Sequence, residues 1–327
     1  MNATITAISH YLPPDVYPNS YFENYLDTND EWIKTRTGIS ERRFLKEGAT
    51  SDLAIKAAKD CMAQKGYSPE DIDCVIVSTV TPDYMFPSTA AVIQDKLGIN
   101  NAWGFDLSAA CSGFLFALVT ACKLVETGAA KRLLLVGADK MSSILDFNDR
   151  NQAILFGDGA GVCIIEQSED ENIGLQDQIL KIDGQGGQYL HQTAGGSFKP
   201  ASHETVDAKE HFIFQDGPSV FKKAVKGMAD ISKELMDKNK LSSDDIAWLV
   251  PHQANLRIID ACSNRMGLDK SKVMVNIQKY GNTTAGTIPI CLSEWHKEGK
   301  LNKGDNLILA SFGAGFTWGA VWLKWGI

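Results

Sequence analysis

No apolar run in this 327-residue sequence is long enough to cross a bilayer, and its opening residues hold neither the basic stretch nor the apolar core of an export signal. Membrane insertion and secretion are therefore not expected. The cysteines lack any pattern: the seven are an odd number, scattered, with no Cys-x-x-Cys pair. That argues against a disulfide framework and a structural zinc site, so no metal is expected and a reducing cytoplasm suits the chain. Basic residues are outnumbered, giving a net charge of −8. General nucleic-acid binding is not expected on that balance, which still permits a local cationic face. What remains is an ordinary globular composition, 44% hydrophobic and 22% charged, over a length that allows one large domain or two smaller ones.

One stretch organises the rest: Trp103-Gly-Phe-Asp-Leu-Ser-Ala-Ala-Cys111-Ser-Gly113. An extended segment runs into Ser108, Ala109 and Ala110, and helical spacing follows at Leu115, Leu118, Val119 and Cys122. Cys111 is thereby placed at a strand-to-helix junction, where free backbone N–H groups and the helix dipole favour thiolate over thiol. The same donors suit an oxyanion, and Gly113 leaves the approach to sulfur uncrowded, so acyl transfer is the chemistry indicated. Taken alone, the stretch equally fits a small buried apolar cysteine.

Around it, Ala3–Leu12, Cys74–Val80 and Arg132–Ala138 read as strands, while Ser51–Lys65 and Pro87–Leu97 read as helices closed by Gly66 and Gly98. Thr28 to Glu31 resembles a capping box, with Gly38 as the helix stop. The second half then repeats the first. Ser242–Val250 echoes Ser68–Ile76, and Asp305–Ala310 echoes Lys131–Val136, both 174 positions on. Arg265–Leu268 echoes Lys96–Ile99, and Ser311–Phe316 echoes Phe156–Gly161. The expected architecture is a duplicated α/β unit, halves 1–170 and 171–327, each a mixed sheet flanked by helices with further helices sandwiched between the copies. Gln167–Asn172 is the expected crossover, and Gly184–Asp207 a long surface loop. Gly157-Asp-Gly-Ala-Gly161 leads into an apolar strand instead of opening a helix, which argues against a dinucleotide site.

In paired α/β units, loops at corresponding sheet ends converge, so partners for Cys111 are sought in the second half. His252 follows the strand Leu249-Val-Pro251, and Asn282 sits between Gly281 and Gly286 in a loop opening a helix. A Cys, a His and an Asn together suit nucleophilic chemistry. Singly, each also fits a plain hydrogen-bonding or turn role.

Four segments carry a family resemblance across essentially the whole chain: Asp106-Leu-Ser-Ala-Ala-Cys111-Ser-Gly113, Pro251-His-Gln-Ala-Asn-Leu-Arg257, Tyr280-Gly-Asn-Thr-Thr284 and Phe312-Gly-Ala-Gly-Phe-Thr-Trp-Gly319. They resemble the β-ketoacyl-acyl-carrier-protein synthase III family, the condensing enzymes that initiate type II fatty-acid synthesis within the thiolase-like superfamily. The resemblance implies a five-layered αβαβα thiolase-like fold and an acyltransferase that works on CoA thioesters without a cofactor. Cys111 would take an acyl group from acyl-CoA, with the backbone N–H groups of Cys111 and Ala314 as the oxyanion hole. His252 and Asn282 would then donate to the thioester oxygen of malonyl-acyl carrier protein as CO₂ leaves.

By the same resemblance, Trp32 and Arg150 would sandwich the CoA adenine and Arg36 would meet its phosphates. Leu155, Phe156 and Phe221 would line the acyl pocket. Phe86 would close that pocket from the other subunit of a cytoplasmic homodimer. Lys222, Lys223, Lys226, Gln253 and Arg257 would receive the acidic carrier protein, although such a lysine row also fits an ordinary solvated helix face. Two positions depart from the family pattern: Pro218 removes a backbone donor near the pantetheine path, and Ala314 interrupts a glycine run. The alternative is a specialised ketosynthase of secondary metabolism on the same fold, of quinolone, alkylresorcinol or branched-starter type.

Overall fold

Unbroken aliphatic runs become the central strands, because a strand covered on both faces has no polar side to present. Cys74–Ser78 is buried throughout and Arg132–Asp139 from its second residue onward. The computed structural model describes residues 2–327. In its first sheet the order is Ala3–Tyr11, Gly159–Gln167, Arg132–Asp139, Cys74–Ser78, Trp103–Leu107. The first two pairings are antiparallel and the last two parallel. The second sheet runs Gly174–Ile182, Thr317–Lys324, Asn306–Gly313, Trp248–Pro251, again antiparallel, antiparallel, then parallel. Where the first sheet has its fifth strand, the second keeps a single parallel bridge from Leu249 to Val273. Ser168–Ile173 joins the sheets, where the crossover was expected.

Helices Thr50–Lys65 and Thr89–Leu97 cover the outer face of the first sheet, and Gly217–Lys238 and Leu256–Met266 that of the second. Gly113–Glu126 and Thr287–Lys297 lie between the sheets in the largest apolar cluster. The result is the five-layered αβαβα arrangement. Each central helix is entered through a single 3₁₀ turn, Ala110–Ser112 in one half and Thr284–Gly286 in the other, 174 positions apart. Both turns begin on a non-glycine residue with left-handed backbone, Ala110 at φ 49° and Thr284 at φ 48°. Such residues carry local strain that the surrounding packing must hold.

Three sequence expectations change. Helix Asp30–Thr37 is capped by Asn29, whose side chain accepts from the Trp32 N–H, and not by Thr28. Gly184–Asp207 is no simple surface loop: Leu190–Gln192 pairs antiparallel with Ile213–Gln215, and a short helix, His203–Asp207, follows. In the turn before Leu190–Gln192, Gly186 packs against the Phe316 ring, where a Cβ would lie 2.3 Å from a ring atom. Gly113 is bare for packing and not for access to the sulfur, because a Cβ would meet Ser78 Oγ at 2.1 Å. The glycine that lies against the cysteine is Gly313, whose Cβ would stand 2.7 Å from the Cys111 nitrogen.

Gly113→Ala should therefore cost about 1–3 kcal/mol of overpacking, read as a lower urea midpoint at unchanged m-value. Adding Ser78→Gly should restore most of the loss; a pair that merely adds would contradict the contact.

Candidate active site

Loops from both halves enclose one cavity of about 610 Å³. Its lining runs from exposed Arg36 and half-buried Trp32 to Cys111, His252 and Asn282, with Phe156, Phe221 and Phe312 among its apolar walls. The three polar residues that sequence spacing singled out thus share one chamber.

Cys111 sits in the Ala110–Ser112 turn, which is stitched to the second half. Ser311 Oγ donates to the Cys111 carbonyl at 2.8 Å, Ser112 Oγ to the Thr317 carbonyl at 2.9 Å, and Thr317 Oγ1 to the Ala109 carbonyl at 2.8 Å. The backbone N–H groups of Cys111 and Ala314 lie near the sulfur and favour its charged form. They do not make a resting thiolate, contrary to the sequence expectation. Burial pushes the thiol up to about 12, the nearby Asp139 carboxylate adds to the shift, and the two N–H groups offset only part of it.

His252 follows strand Trp248–Pro251, its N–H donating to the Ala310 carbonyl at 2.8 Å. The ring is buried, with Nδ1 2.7 Å from Thr287 Oγ1 and Nε2 without a protein partner. Burial lowers its pKa to about 3, so the imidazole is neutral at physiological pH. No carboxylate hydrogen-bonds to this ring among the described residues, unlike the relay of a hydrolase.

Asn282 is held by its backbone: its N–H donates to the Leu155 carbonyl at 2.9 Å, and its carbonyl accepts from Gly157 at 3.0 Å. Its side-chain Oδ1 accepts from the Thr284 N–H at 2.9 Å. A backbone N–H can only donate, so Oδ1 is fixed as the acceptor and Nδ2 is left to donate.

The remaining candidates are placed as follows. Leu155, Phe156 and Phe221 line the cavity, as does Pro218, which opens helix Gly217–Lys238 in the first turn, where no N–H is needed. The guanidinium carbons of Arg150 and Arg36 lie 5.0 and 5.7 Å from the Trp32 ring centroid. Arg150 also donates to the Asp27 carbonyl at 2.6 Å. Phe86 is 86% exposed beside exposed Tyr84 and Met85 and does not line this chain's cavity. Lys222, Lys223 and Lys226 are exposed and, like Arg257, form no ion pair with a described residue; Arg257 lies 4.7 Å over the Phe221 ring. Gln253 is a correction. It is wholly buried, donating to the Pro251 and Met274 carbonyls and accepting from the Asn276 and Ile277 N–H groups, so it cannot meet a partner at the surface. Sequence reasoning missed Asp139, Thr287 and the 190–192/213–215 hairpin, which lines the cavity. A lone charge ending the apolar strand was the available signal for Asp139.

Residues 105–184 match the family described as 3-oxoacyl-[acyl-carrier-protein] synthase III, and residues 236–325 match its C-terminal family. The β-ketoacyl-[acyl-carrier-protein] synthase III of Chlorobium chlorochromatii is 56% identical over 328 residues, covering 99% of this chain and 100% of that protein. The chain belongs to the β-ketoacyl-acyl-carrier-protein synthase III family. The solved 3-oxoacyl-[acyl-carrier-protein] synthase III of Aquifex aeolicus superposes with TM-score 0.91 at 40% identity, over 99% of this chain and 100% of that one. A priming β-ketosynthase of the R1128 polyketide pathway superposes as well, with TM-score 0.91, over 99% of this chain and 96% of that one, but at 31% identity. The chain is thus a thiolase-fold condensing enzyme of the acyltransferase type, and the specialised-ketosynthase alternative is not favoured. No helix among the described residues is long and apolar enough to cross a membrane.

The neutral state of His252 has a linked cost. Its folded pKa of about 3 lies below the 6.5 of the unfolded chain, so stability present above pH 6.5 is lost as pH falls toward 3. Between pH 6.5 and 4, the unfolding free energy of His252→Asn should fall with a slope smaller by about one proton than that of the wild type. Equal slopes in urea titrations would contradict a buried, neutral ring.

Proposed function

We propose that this enzyme joins an acyl-CoA starter to malonyl-acyl carrier protein through an acyl group carried on Cys111, the first condensation of fatty-acid synthesis. One observation carries the reading: an enclosed sulfur near two backbone N–H groups shares a chamber with a neutral imidazole and an oriented amide, with no carboxylate on the imidazole. In the first stage the starter's carbonyl oxygen takes the N–H groups of Cys111 and Ala314, which stabilise the tetrahedral oxyanion. Sulfur attacks the carbonyl carbon, the bond to the CoA sulfur breaks, and the thiol proton leaves with CoA.

In the second stage malonyl thioester enters with its oxygen toward His252 and Asn282. Breaking the bond to CO₂ leaves an electron pair that spreads onto that oxygen as an enolate. Two neutral donors stabilise this charge without adding a competing one. The carbon nucleophile then attacks the acyl group, the bond from that carbonyl carbon to sulfur breaks, and Cys111 departs as thiolate and takes up one proton from solvent, replacing the one that left with CoA. Trp32 and Arg36 at the outer end of the cavity, with Arg150 over the Trp32 ring, make a cationic, aromatic group suited to the CoA nucleotide. The unpaired Lys222, Lys226 and Arg257 suit an acidic carrier protein. Exposed Phe86 and the edge strand Trp103–Leu107 suit a second copy of the chain, giving a homodimer that works in the cytoplasm.

Incubation with radiolabelled acetyl-CoA should label the wild type and leave Cys111→Ser unlabelled. Asn282→Ala should label normally yet lose roughly 100-fold or more in β-ketoacyl product; normal condensation by that variant would overturn its role. The paired Lys222→Glu and Lys226→Glu variant should raise the KM for malonyl-acyl carrier protein several-fold at low salt, with kcat kept and the gap narrowing as salt rises. An unchanged KM would remove these lysines from the docking face.

A further inference from the structure

A neutral imidazole carries one N–H, and the partner of one ring nitrogen decides which nitrogen holds it. For His252 that partner is the hydroxyl of Thr287, 2.7 Å from Nδ1, while Nε2 is the buried, unpartnered atom in a ring that lines the cavity. The hydroxyl has a single proton and two neighbours that could accept it: Nδ1, and the Thr284 carbonyl at 3.0 Å. The Thr284 carbonyl already accepts from the Thr287 backbone N–H. Nδ1 has no other donor among the described residues. We infer that the Thr287 hydroxyl donates to Nδ1 of His252, fixing the tautomer that presents Nε2–H to the substrate, so that Thr287 is the positioning residue that makes His252 a donor. This rests on the reading above, in which the enolate oxygen takes one hydrogen bond from His252 and one from Asn282.

The duplication gives independent support. Position 252 stands 174 after Ser78, and position 287 stands 174 after Gly113. In the first half these two positions meet so closely that a Cβ at Gly113 would reach within 2.1 Å of Ser78 Oγ. In the second half the same pair of positions holds an imidazole and a hydroxyl at hydrogen-bond distance. The fold therefore imposes the contact in both copies, and in the second it is filled by a hydrogen bond. One turn organises both donors: the Thr284 N–H holds Asn282 Oδ1, and the Thr284 carbonyl receives the Thr287 backbone. Burial lowers the pKa of the ring to about 3 and so removes the imidazolium, which would donate from both nitrogens whatever Thr287 did.

Thr287→Val keeps the shape and removes the hydroxyl; Thr287→Ser keeps the hydroxyl. In ¹⁵N-histidine spectra of the full-length enzyme at neutral pH, His252 should carry its proton on Nε2 in the wild type and in Thr287→Ser. Thr287→Val should lose that preference. The same variant should acylate Cys111 from acetyl-CoA at the wild-type rate while kcat for malonyl-acyl carrier protein decarboxylation drops roughly 10- to 100-fold at similar KM, with Thr287→Ser restored. A wild-type spectrum with the proton on Nδ1 overturns the inference, as does a Thr287→Val enzyme that decarboxylates normally or loses acylation and decarboxylation alike. Because the spectrum needs no turnover, a wild type with Nε2–H that fails to decarboxylate malonyl-acyl carrier protein overturns the functional reading and leaves the tautomer assignment standing.

Discussion

A buried carboxylate ties the two halves together at the point where their turns meet. Asp139, at the end of a first-half strand, has no exposure to solvent. One oxygen accepts from Thr79 Oγ1, Thr81 Oγ1 and the N–H groups of Val80 and Thr81, all in its own half. The other accepts from Thr284 Oγ1 and, at 3.2 Å, from the Ala285 N–H, both in the second half. Burial alone would drive the carboxyl toward its neutral form, and these donors act against that shift. Thr284 is also the residue with left-handed backbone whose N–H orients Asn282. The strain of that turn, the amide it aims and the junction between halves thus depend on one side chain.

Enclosure has opposite consequences for Cys111 and His252, which line the same chamber. It raises the pKa of the Cys111 thiol and lowers that of the His252 imidazole, so both rest uncharged. Around two uncharged groups with apolar walls there is little screening, and fixed dipoles act more strongly there than they would in water. In the proposed reaction, charge first arises in such a pocket on the substrate, as oxyanion and then as enolate, opposite N–H groups already held in place. Preorganised donors of this kind need no rearrangement as the charge forms.

The sequence was most readable where a local rule and a global one agreed. The aliphatic strands, the glycine-closed helices and the 174-residue echo each followed from period or repetition, and together they anticipated two sheets with helices between them. Cys111, His252 and Asn282 were readable because the repeat placed their loops at equivalent sheet ends. Long-range packing hid the rest. Gln253, next to His252 in the chain, reads as a polar surface residue, yet it is spent on the backbone of residues 274–277. Gly113 reads as open space beside sulfur, but Ser78, 35 positions earlier, occupies that space. The thiolate expectation weighed the helix end and omitted burial, the larger effect. The hairpin at 190–192 and 213–215 was hidden because its strands are three residues each, too short to show a period.

The central claim is that one chamber brings a substrate thioester oxygen to His252 and Asn282 while its neighbouring carbon faces the sulfur of Cys111. A crystal structure of the enzyme with a non-decarboxylating malonyl thioester analogue tests this most directly. The account predicts the thioester oxygen within hydrogen-bond distance of both His252 Nε2 and Asn282 Nδ2, with the carboxylate-bearing carbon turned toward Cys111 Sγ. An analogue bound with that oxygen away from both donors, or with the carbon directed away from the sulfur, would contradict it.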